Sequence, residues 1–360
     1  LQLTEQLKHL RFSFDFQVCY ESFRGKQIGV GYARKYLMDA AFMHFYERGQ
    51  EGLIINLDAD TTVDTNYFNA ISHFFADSNS PEAASIAFAH RFVSGSLQNK
   101  LAATLYELHL RYFINMQRWI ALPFAFQTIG SAMAVKTWAY AKEGGMPKRQ
   151  AGEDFYFLHK YSKKAELGEI NTTCVYPSDR TSSRVPFGTG KAVMDIIRQD
   201  VEYSSYNPQS FEILNLILNS IFKFYMEGID FHKLALDIPQ SADAYLKQNK
   251  AYEKLLEIKA HTNGIQNFEK RFYNWFDAFR LMKYLHFMRD NHLPNCSIEQ
   301  GLSYLMPLLG LEYSGNQEID LEVMRSFDRD SSFYDQCKAG LISRASRILA
   351  SFSTHQARRE

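Results

Sequence analysis

The stretch Gly52-Leu-Ile-Ile-Asn-Leu-Asp58-Ala-Asp60-Thr-Thr62 decides how this chain is interpreted. A short apolar strand leads directly into two carboxylates that are separated by one residue. Asp58 and Asp60, two residues apart, lie on the same side of an extended chain, and a turn after Leu57 directs both toward one ion. Divalent cations prefer oxygen ligands and keep open positions for phosphate oxygens. The stretch therefore predicts a metal site in an enzyme with a phosphorylated substrate, and a solvated turn is the alternative.

Length and composition predict two domains and exclude some partners. The 360 residues exceed what one core usually serves, and 46% of them are hydrophobic. The formal net charge is +0, so no basic field attracts nucleic acid, and we expect no nucleic-acid partner. The four cysteines lie far apart, without metal-ligand or disulfide spacing. Free thiols and a cytoplasmic location are therefore expected.

Membrane contact is predicted at most at the surface. No apolar stretch approaches the roughly 18 residues that span a bilayer, and the best, from Ile213 to Phe222, is interrupted by polar residues. The C-terminal segment from Arg344 to Arg359 is basic with one apolar side. Such a segment suits peripheral contact with the inner face of a membrane, and an ordinary solvated helix is the alternative.

The pattern of apolar residues changes near residue 200. Before it, strand-like runs alternate with helical patterns, which is typical of an α/β sheet. The strand-like runs are Phe14 to Tyr20, Leu53 to Leu57 and Ala84 to Phe92, and the helices are predicted from about 31 to 48 and 66 to 75. After it, apolar residues recur every three and four residues, which predicts helices. We therefore predict an α/β domain over 1–198 and a helical domain over 199–360.

Three later segments supply further candidate groups. Thr128 to Val135 is small and apolar, which suits a strand that a ligand approaches closely or one that is tightly packed. Glu153 and Asp154 open a predicted helix, where acidic residues also serve simply as caps. Arg180 and Arg184 belong to a loop rich in glycines and hydroxyls. Arginine forks match phosphate oxygens, and a solvated turn is the alternative.

In this order, the motifs resemble those of family 2 glycosyltransferases, which have the GT-A fold. The resemblance covers about residues 12 to 195. Its four elements are Gly29-Val-Gly31-Tyr-Ala33-Arg34, Asp58-Ala-Asp60, Gly144-Gly145 with Gly152-Glu153-Asp154, and Arg180 to Gly190.

The resemblance implies a Rossmann-like αβα sandwich with a mixed sheet, followed here by an all-α region. It also implies transfer of a sugar from a nucleotide-diphosphate sugar to a hydroxyl of a glycan or lipid-linked acceptor. The reaction would depend on manganese or magnesium and invert the anomeric centre. Asp58 and Asp60 are then the metal ligands, and Asp154 is the catalytic base, with Glu153 as second choice. The donor-binding residues implied are Arg34, Asp58, Arg180 and Arg184.

One departure from the family concerns the N-terminal half-domain. Family members begin with a Pro-x-x-Asn-Glu-like turn after the first strand and an acidic residue after the second, and neither precedes Gly29. Asp15 is in the wrong place to replace that acid. Because the sequence begins at Leu1, we expect an incomplete N-terminal portion; loss of ordinary nucleotide-sugar binding is the alternative.

Three other functions remain open. The segment around Asp58 and Asp60 also resembles the first motif of haloacid-dehalogenase-type phosphatases, with Asp58 as nucleophile and Asp60 as acid/base. Those enzymes usually place this strand first, whereas a helix from Gly31 precedes it here. A nucleotidyltransferase would need a Gly-rich basic loop that the sequence does not show. A non-catalytic transferase scaffold is the third, and the intact acidic residues argue against it.

Overall fold

A mixed five-stranded β-sheet organises the first half of the chain, as shown by a computed structural model that describes residues 14–25, 29–92, 95–181, 188–199, 203–228, 238–330, 333–338 and 343–346. The strands are β1 (Leu53–Asn56), β2 (Thr62–Val63), β3 (Ala83–Phe88), β4 (Met133–Lys136) and β5 (Leu167–Tyr176). Their spatial order is β1-β4-β3-β5-β2. β3 and β5 are parallel, whereas β4 is antiparallel to β1 and β3, and β2 is antiparallel to β5. The α/β class with a mixed sheet is thus confirmed.

Helices account for most of the remaining described residues. Those up to residue 199 are α1 (Val30–Glu47), α2 (Tyr67–Ala76), α3 (Leu97–Trp119), α4 (Thr137–Lys142), α5 (Glu153–Ser162) and α6 (Thr189–Gln199). Those after it are α7 (Pro208–Glu227), α8 (Gln240–Gln248), α9 (Ala251–Ala260), α10 (Ile265–Trp275), α11 (Ala278–Asn291), α12 (Ile298–Leu308), α13 (Gln317–Asp330) and α14 (Phe333–Lys338). The second part also holds a two-residue strand, β7 (Cys296–Ser297), paired with β6 (Ser204–Ser205).

Several predicted elements differ from the structure. Phe14 to Tyr20 is not a strand: its residues are mostly exposed, with Tyr20 92% exposed. Apolar alternation alone does not make a strand where no partner supplies backbone hydrogen bonds. The strand expected to reach Phe92 ends at Phe88, and beyond it an isolated bridge joins Arg91 to Ser178. The helices predicted from about 31 to 48 and 66 to 75 are confirmed within one residue at each end.

Helix α3 connects the sheet region with the later helices. Its buried residues Leu108, Tyr112 and Met116 share one hydrophobic cluster with residues of α7, α10, α11 and α12. Phe268 and Phe272 of α10 are 0% exposed within that cluster, so these aromatic residues belong to a helical core. The cluster extends across residue 198, and the division into two domains at that point stays a prediction.

Membrane and thiol features agree with only part of the expectation. In the ranges that the structure describes, no helix has both the length and the apolarity that crossing a bilayer requires. Cys19 and Cys174 are free thiols. Arg344 is 5% exposed and donates to the backbone oxygen of Ile120, so this residue faces neither a membrane nor solvent. The rest of the basic C-terminal segment, 347–360, lies outside the described residues.

Candidate active site

One cavity brings the predicted site residues together. It has a volume of about 440 Å³ and lies among the segments that follow β1 and β5, the first turns of α1, α5 and α6, and the helices α3 and α11. Its wall includes all six of the predicted residues that the structure describes: Arg34, Asp58, Asp60, Glu153, Asp154 and Arg180. Arg184 lies outside the described residues.

Arg34 lies between two acidic segments of the cavity. Its guanidinium donates to Asp58 at 2.7 Å and forms a second ion pair with Glu153. Burial on its own would lower the pKa of Arg34, but Asp58 and Glu153 raise the pKa further than burial lowers it. Arg34 is therefore a fixed positive charge, which holds the turn after β1 against the first turn of α5.

Glycines allow this close packing. A Cβ on Gly31 would lie 2.8 Å from the backbone oxygen of Pro147, and the Gly31 N–H donates to the Arg149 oxygen at 3.1 Å. A Cβ on Gly130 would overlap the guanidinium of Arg34. The Gly-x-Gly motif therefore acts here by holding the start of α1 against the segment before α5, and Gly130 leaves room for Arg34.

Asp58 and Asp60 lie on a turn at the cavity wall, as the sequence predicts. The Thr61 N–H donates to the backbone oxygen of Asp58 at 3.0 Å, which closes the turn. The Asp58 side chain is 48% exposed and pairs with Arg34, while Asp60 is 35% exposed and pairs with Arg180. Each carboxylate thus already has an arginine partner, and both remain accessible from the cavity.

The donor set around Asp58 and Asp60 fits a hard divalent cation in part. Within the described ranges, no cluster of three or more His, Cys, Asp or Glu side chains could hold a metal ion by itself. Magnesium commonly binds through one or two carboxylates and completes its shell with water and substrate phosphates. Asp58 and Asp60 supply that minimum of two carboxylates, and any further ligands would have to come from water or from a bound phosphate.

The two carboxylates at the start of α5 differ in their surroundings. Glu153 is 1% exposed and is engaged by Arg34, whereas Asp154 is half-buried and accepts the backbone N–H of Phe155 at 2.8 Å. Burial raises the pKa of Asp154 above its ordinary value, although Arg34 and the backbone N–H groups of Phe155 and Gly130 oppose the rise. Burial and the neighbouring Asp154 also raise the pKa of Glu153.

A buried ionic cluster behind the cavity was not predicted. The Thr189 hydroxyl, on the cavity wall, is 3.0 Å from His90 Nε2, and His90 Nδ1 is 3.0 Å from Glu107. A carboxylate can only accept, so Nδ1 of a neutral His90 carries the proton and Nε2 accepts from Thr189. Glu107 is 0% exposed and also binds Arg111 and Arg325 at 2.7 Å. The cluster thereby fixes the first turn of α6 at the cavity.

Sequence signals for this cluster are weak. Glu107 and Arg111 stand four residues apart on α3, a spacing that is usual for solvated ion pairs. The neighbouring sequence does not show that both side chains are buried, because their partner Arg325 belongs to the distant helix α13.

Comparison with known proteins adds no identification. No protein-family model, curated protein or solved structure matched the chain.

Proposed function

We propose that this cavity is the active site of a family 2-like glycosyltransferase, which moves a sugar from a nucleotide-diphosphate donor to an acceptor hydroxyl. The observation that carries the proposal is that four separate segments bring Arg34, the pair Asp58 and Asp60, the pair Glu153 and Asp154, and Arg180 to one wall. These are the residues that the ordered motifs select. The mixed α/β sheet agrees with the GT-A fold, which is part of the proposal. A cytoplasmic location is part of the proposal, as the wide spacing of the cysteines in the sequence predicts.

The arginines supply the charge that a leaving diphosphate needs. In the structure Arg34 is paired with Asp58, and Arg180 is paired with Asp60. Diphosphate oxygens would compete for the same guanidinium groups, because arginine binds phosphate and carboxylate with the same geometry. Manganese or magnesium, held by Asp58 and Asp60, would add Lewis-acid stabilisation when bound. The positive groups thus act on charge that develops as the sugar bond breaks.

Asp154 is the proposed catalytic base, and Glu153 positions Arg34. An acceptor hydroxyl is a poor nucleophile unless a carboxylate removes its proton during attack. The raised pKa of Asp154 makes its carboxylate a better proton acceptor than an ordinary aspartate. Glu153 is 1% exposed, and its carboxylate forms a structural ion pair with Arg34. Attack from the face opposite the diphosphate would invert the anomeric centre.

Two observations favour transfer over phosphatase chemistry. A phosphatase of the haloacid-dehalogenase type uses a lysine near its nucleophile, and no lysine contributes to the cavity wall in the part of the chain that the structure describes. Asp58 is also bound to Arg34, which lowers the nucleophilicity of its carboxylate. A nucleotidyltransferase would need a Gly-rich basic loop, and no such loop follows β1, so the site does not support that function.

Replacing Asp60 by Ala should remove metal-dependent nucleotide binding. We expect the wild type to be stabilised by uridine, guanosine or thymidine diphosphate with manganese; at about 100 times Kd, binding adds about 2.7 kcal/mol to the free energy of unfolding. Asp60→Ala loses this gain because one metal ligand is absent, as thermal shift measurements would show.

The matched control is Asp290→Ala. Asp290 is also an exposed aspartate with an arginine partner, Arg289, but it lies on α11 away from the cavity wall. This variant should keep the manganese-dependent stabilisation. Full manganese-dependent affinity in Asp60→Ala would contradict the assignment of the metal ligand.

A further inference from the structure

The cavity has a second wall that is apolar. It is formed by Phe113 and Ile114 of α3, Phe124 after α3, Phe155 of α5, and Leu281 and Met282 of α11. Phe124 and Leu281 belong to the large helical core cluster, and Phe113 and Phe155 pack against it. This side of the cavity is therefore continuous with the hydrophobic core.

Ring contacts place the apolar wall on the helical side of the cavity. The Phe155 ring lies 4.9 Å from the Phe279 ring on α11, and the Phe124 ring lies 6.3 Å from Tyr273 on α10. Asp58 and Asp60, in contrast, follow β1 and bind Arg34 and Arg180. The charged and apolar groups thus occupy different parts of the cavity.

Asp154 lies where these two parts meet. It precedes Phe155 in the first turn of α5 and accepts that residue's N–H. Burial raises the pKa of Tyr106 on α3, with Tyr203 and the charge of Asp154 adding to the rise. Asp154 is therefore close to the α3 side of the cavity as well as to Arg34. The hydroxyl that loses its proton to Asp154 must lie at this junction.

We propose that the acceptor carries a hydrocarbon or aromatic group beside its reacting hydroxyl, and that this group binds the apolar wall. The proposal rests on the proposed function, since it assigns the acceptor of the same site. A bare sugar against these six apolar side chains would lose hydrogen bonds to water, which is costly for each hydroxyl that finds no protein partner. An apolar group instead gains from leaving water. The occupant is thus an amphiphilic alcohol, such as an alkyl or aryl glycoside.

A homologous series of alkyl glycosides tests this inference. We would measure binding of methyl, butyl, hexyl and octyl β-D-glucopyranoside by calorimetry, below their micelle concentrations and with manganese present. Each methylene that enters the cavity should raise the affinity about fourfold. Affinity that does not change with chain length would overturn the proposal.

Matched methionine variants locate the effect. Met282→Gln keeps the side-chain length but buries an unpaired amide, so the affinity ratio of octyl to methyl glucoside should fall about tenfold. Met226→Gln changes a methionine on α7 that is 36% exposed and outside the cavity wall, and it should leave that ratio unchanged. An equal fall in both variants would place the alkyl site elsewhere and contradict the proposal.

Competition with nucleotide separates this proposal from the proposed function. Octyl glucoside and the stabilising nucleoside diphosphate should bind the wild type together, because acceptor and donor occupy different parts of the cavity. Mutual exclusion would mean that the apolar wall holds the nucleobase and would overturn the acceptor assignment, while the diphosphate binding itself would still support a transferase. Chain-length-dependent binding without any nucleotide binding would support the apolar site and contradict the transferase.

Discussion

Asp154→Asn is expected to lower the rate of sugar transfer by about 10²- to 10⁴-fold, the usual contribution of a general base. An asparagine cannot take the acceptor proton, but its amide oxygen can still accept the Phe155 N–H that now lies 2.8 Å from the carboxylate. Donor binding should therefore be kept. Single-turnover kinetics with a bound donor would measure the loss in the chemical step. A variant that transfers sugar at the wild-type rate would move the base to Glu153 or elsewhere.

The pH dependence of transfer gives a second measure of the same residue. Burial raises the pKa of Asp154 above the pKa of an ordinary aspartate, which is about 3.9. The base therefore becomes protonated, and activity falls, at a higher pH than it would with an ordinary aspartate. Activity should be full above the raised pKa and decline as the pH falls through it. The same shift means that the ionised carboxylate is less stable in the folded protein than in water. At neutral pH, the free energy of unfolding of Asp154→Asn should therefore be no lower than that of the wild type.

Glu153→Gln is the matched comparison for Asp154. Glu153 holds Arg34, so its variant should weaken donor binding and raise KM more than it lowers kcat. An opposite pattern, with kcat lost in Glu153→Gln alone, would exchange the roles of the two acids.

Glu107→Gln is expected to lower the free energy of unfolding by about 3–5 kcal/mol, as found when one partner of a buried ionic network is removed. Glu107 is 0% exposed and binds Arg111, Arg325 and His90. The neutral amide would leave two buried or half-buried guanidinium groups without their shared counter-charge. Urea denaturation would measure the loss.

The stability lost in Glu107→Gln should depend on pH in one direction. Burial alone would raise the pKa of Glu107, but Arg111 and the hydrogen bonds from Arg325 and His90 lower the pKa well below its ordinary value. The contribution of Glu107 is therefore fully present above the unfolded pKa of about 4.3 and is lost as the pH falls further, through the folded pKa. The difference between wild type and variant should shrink below about pH 4.

Glu322→Gln is the control for Glu107. It removes another carboxylate that pairs with Arg325 at 2.7 Å, but this one is 69% exposed. An exposed ion pair contributes about 0–1 kcal/mol, so this variant should remain close to wild type. Equal losses in the two variants would contradict the role assigned to burial.

Local motifs predicted the polar side of the cavity better than they predicted the sheet. Asp58 and Asp60 at a strand end, and Glu153 and Asp154 at a helix start, depend on short spacings that the sequence displays directly. The expected strand at Phe14 to Tyr20 was wrong, because alternation does not show whether a neighbouring strand is present.

The apolar side of the cavity depends on tertiary packing. Periodicity indicates that Leu281 belongs to the inner face of a helix, but not that this helix meets Phe124 and Phe155 around a cavity. Likewise, Glu107 becomes a buried anchor only because Arg325, from a helix distant in sequence, packs against it. Such contacts are absent from any local pattern.

Turnover of nucleotide sugars tests the central claim most directly. Release of nucleoside diphosphate from uridine-, guanosine- and thymidine-diphosphate sugars would be measured with manganese, for wild type and Asp60→Ala side by side. We predict release from at least one donor class by the wild type, and release at least about a hundredfold slower by Asp60→Ala. No release from any donor, or equal release by both proteins, would contradict the assignment of this cavity as a glycosyltransferase site.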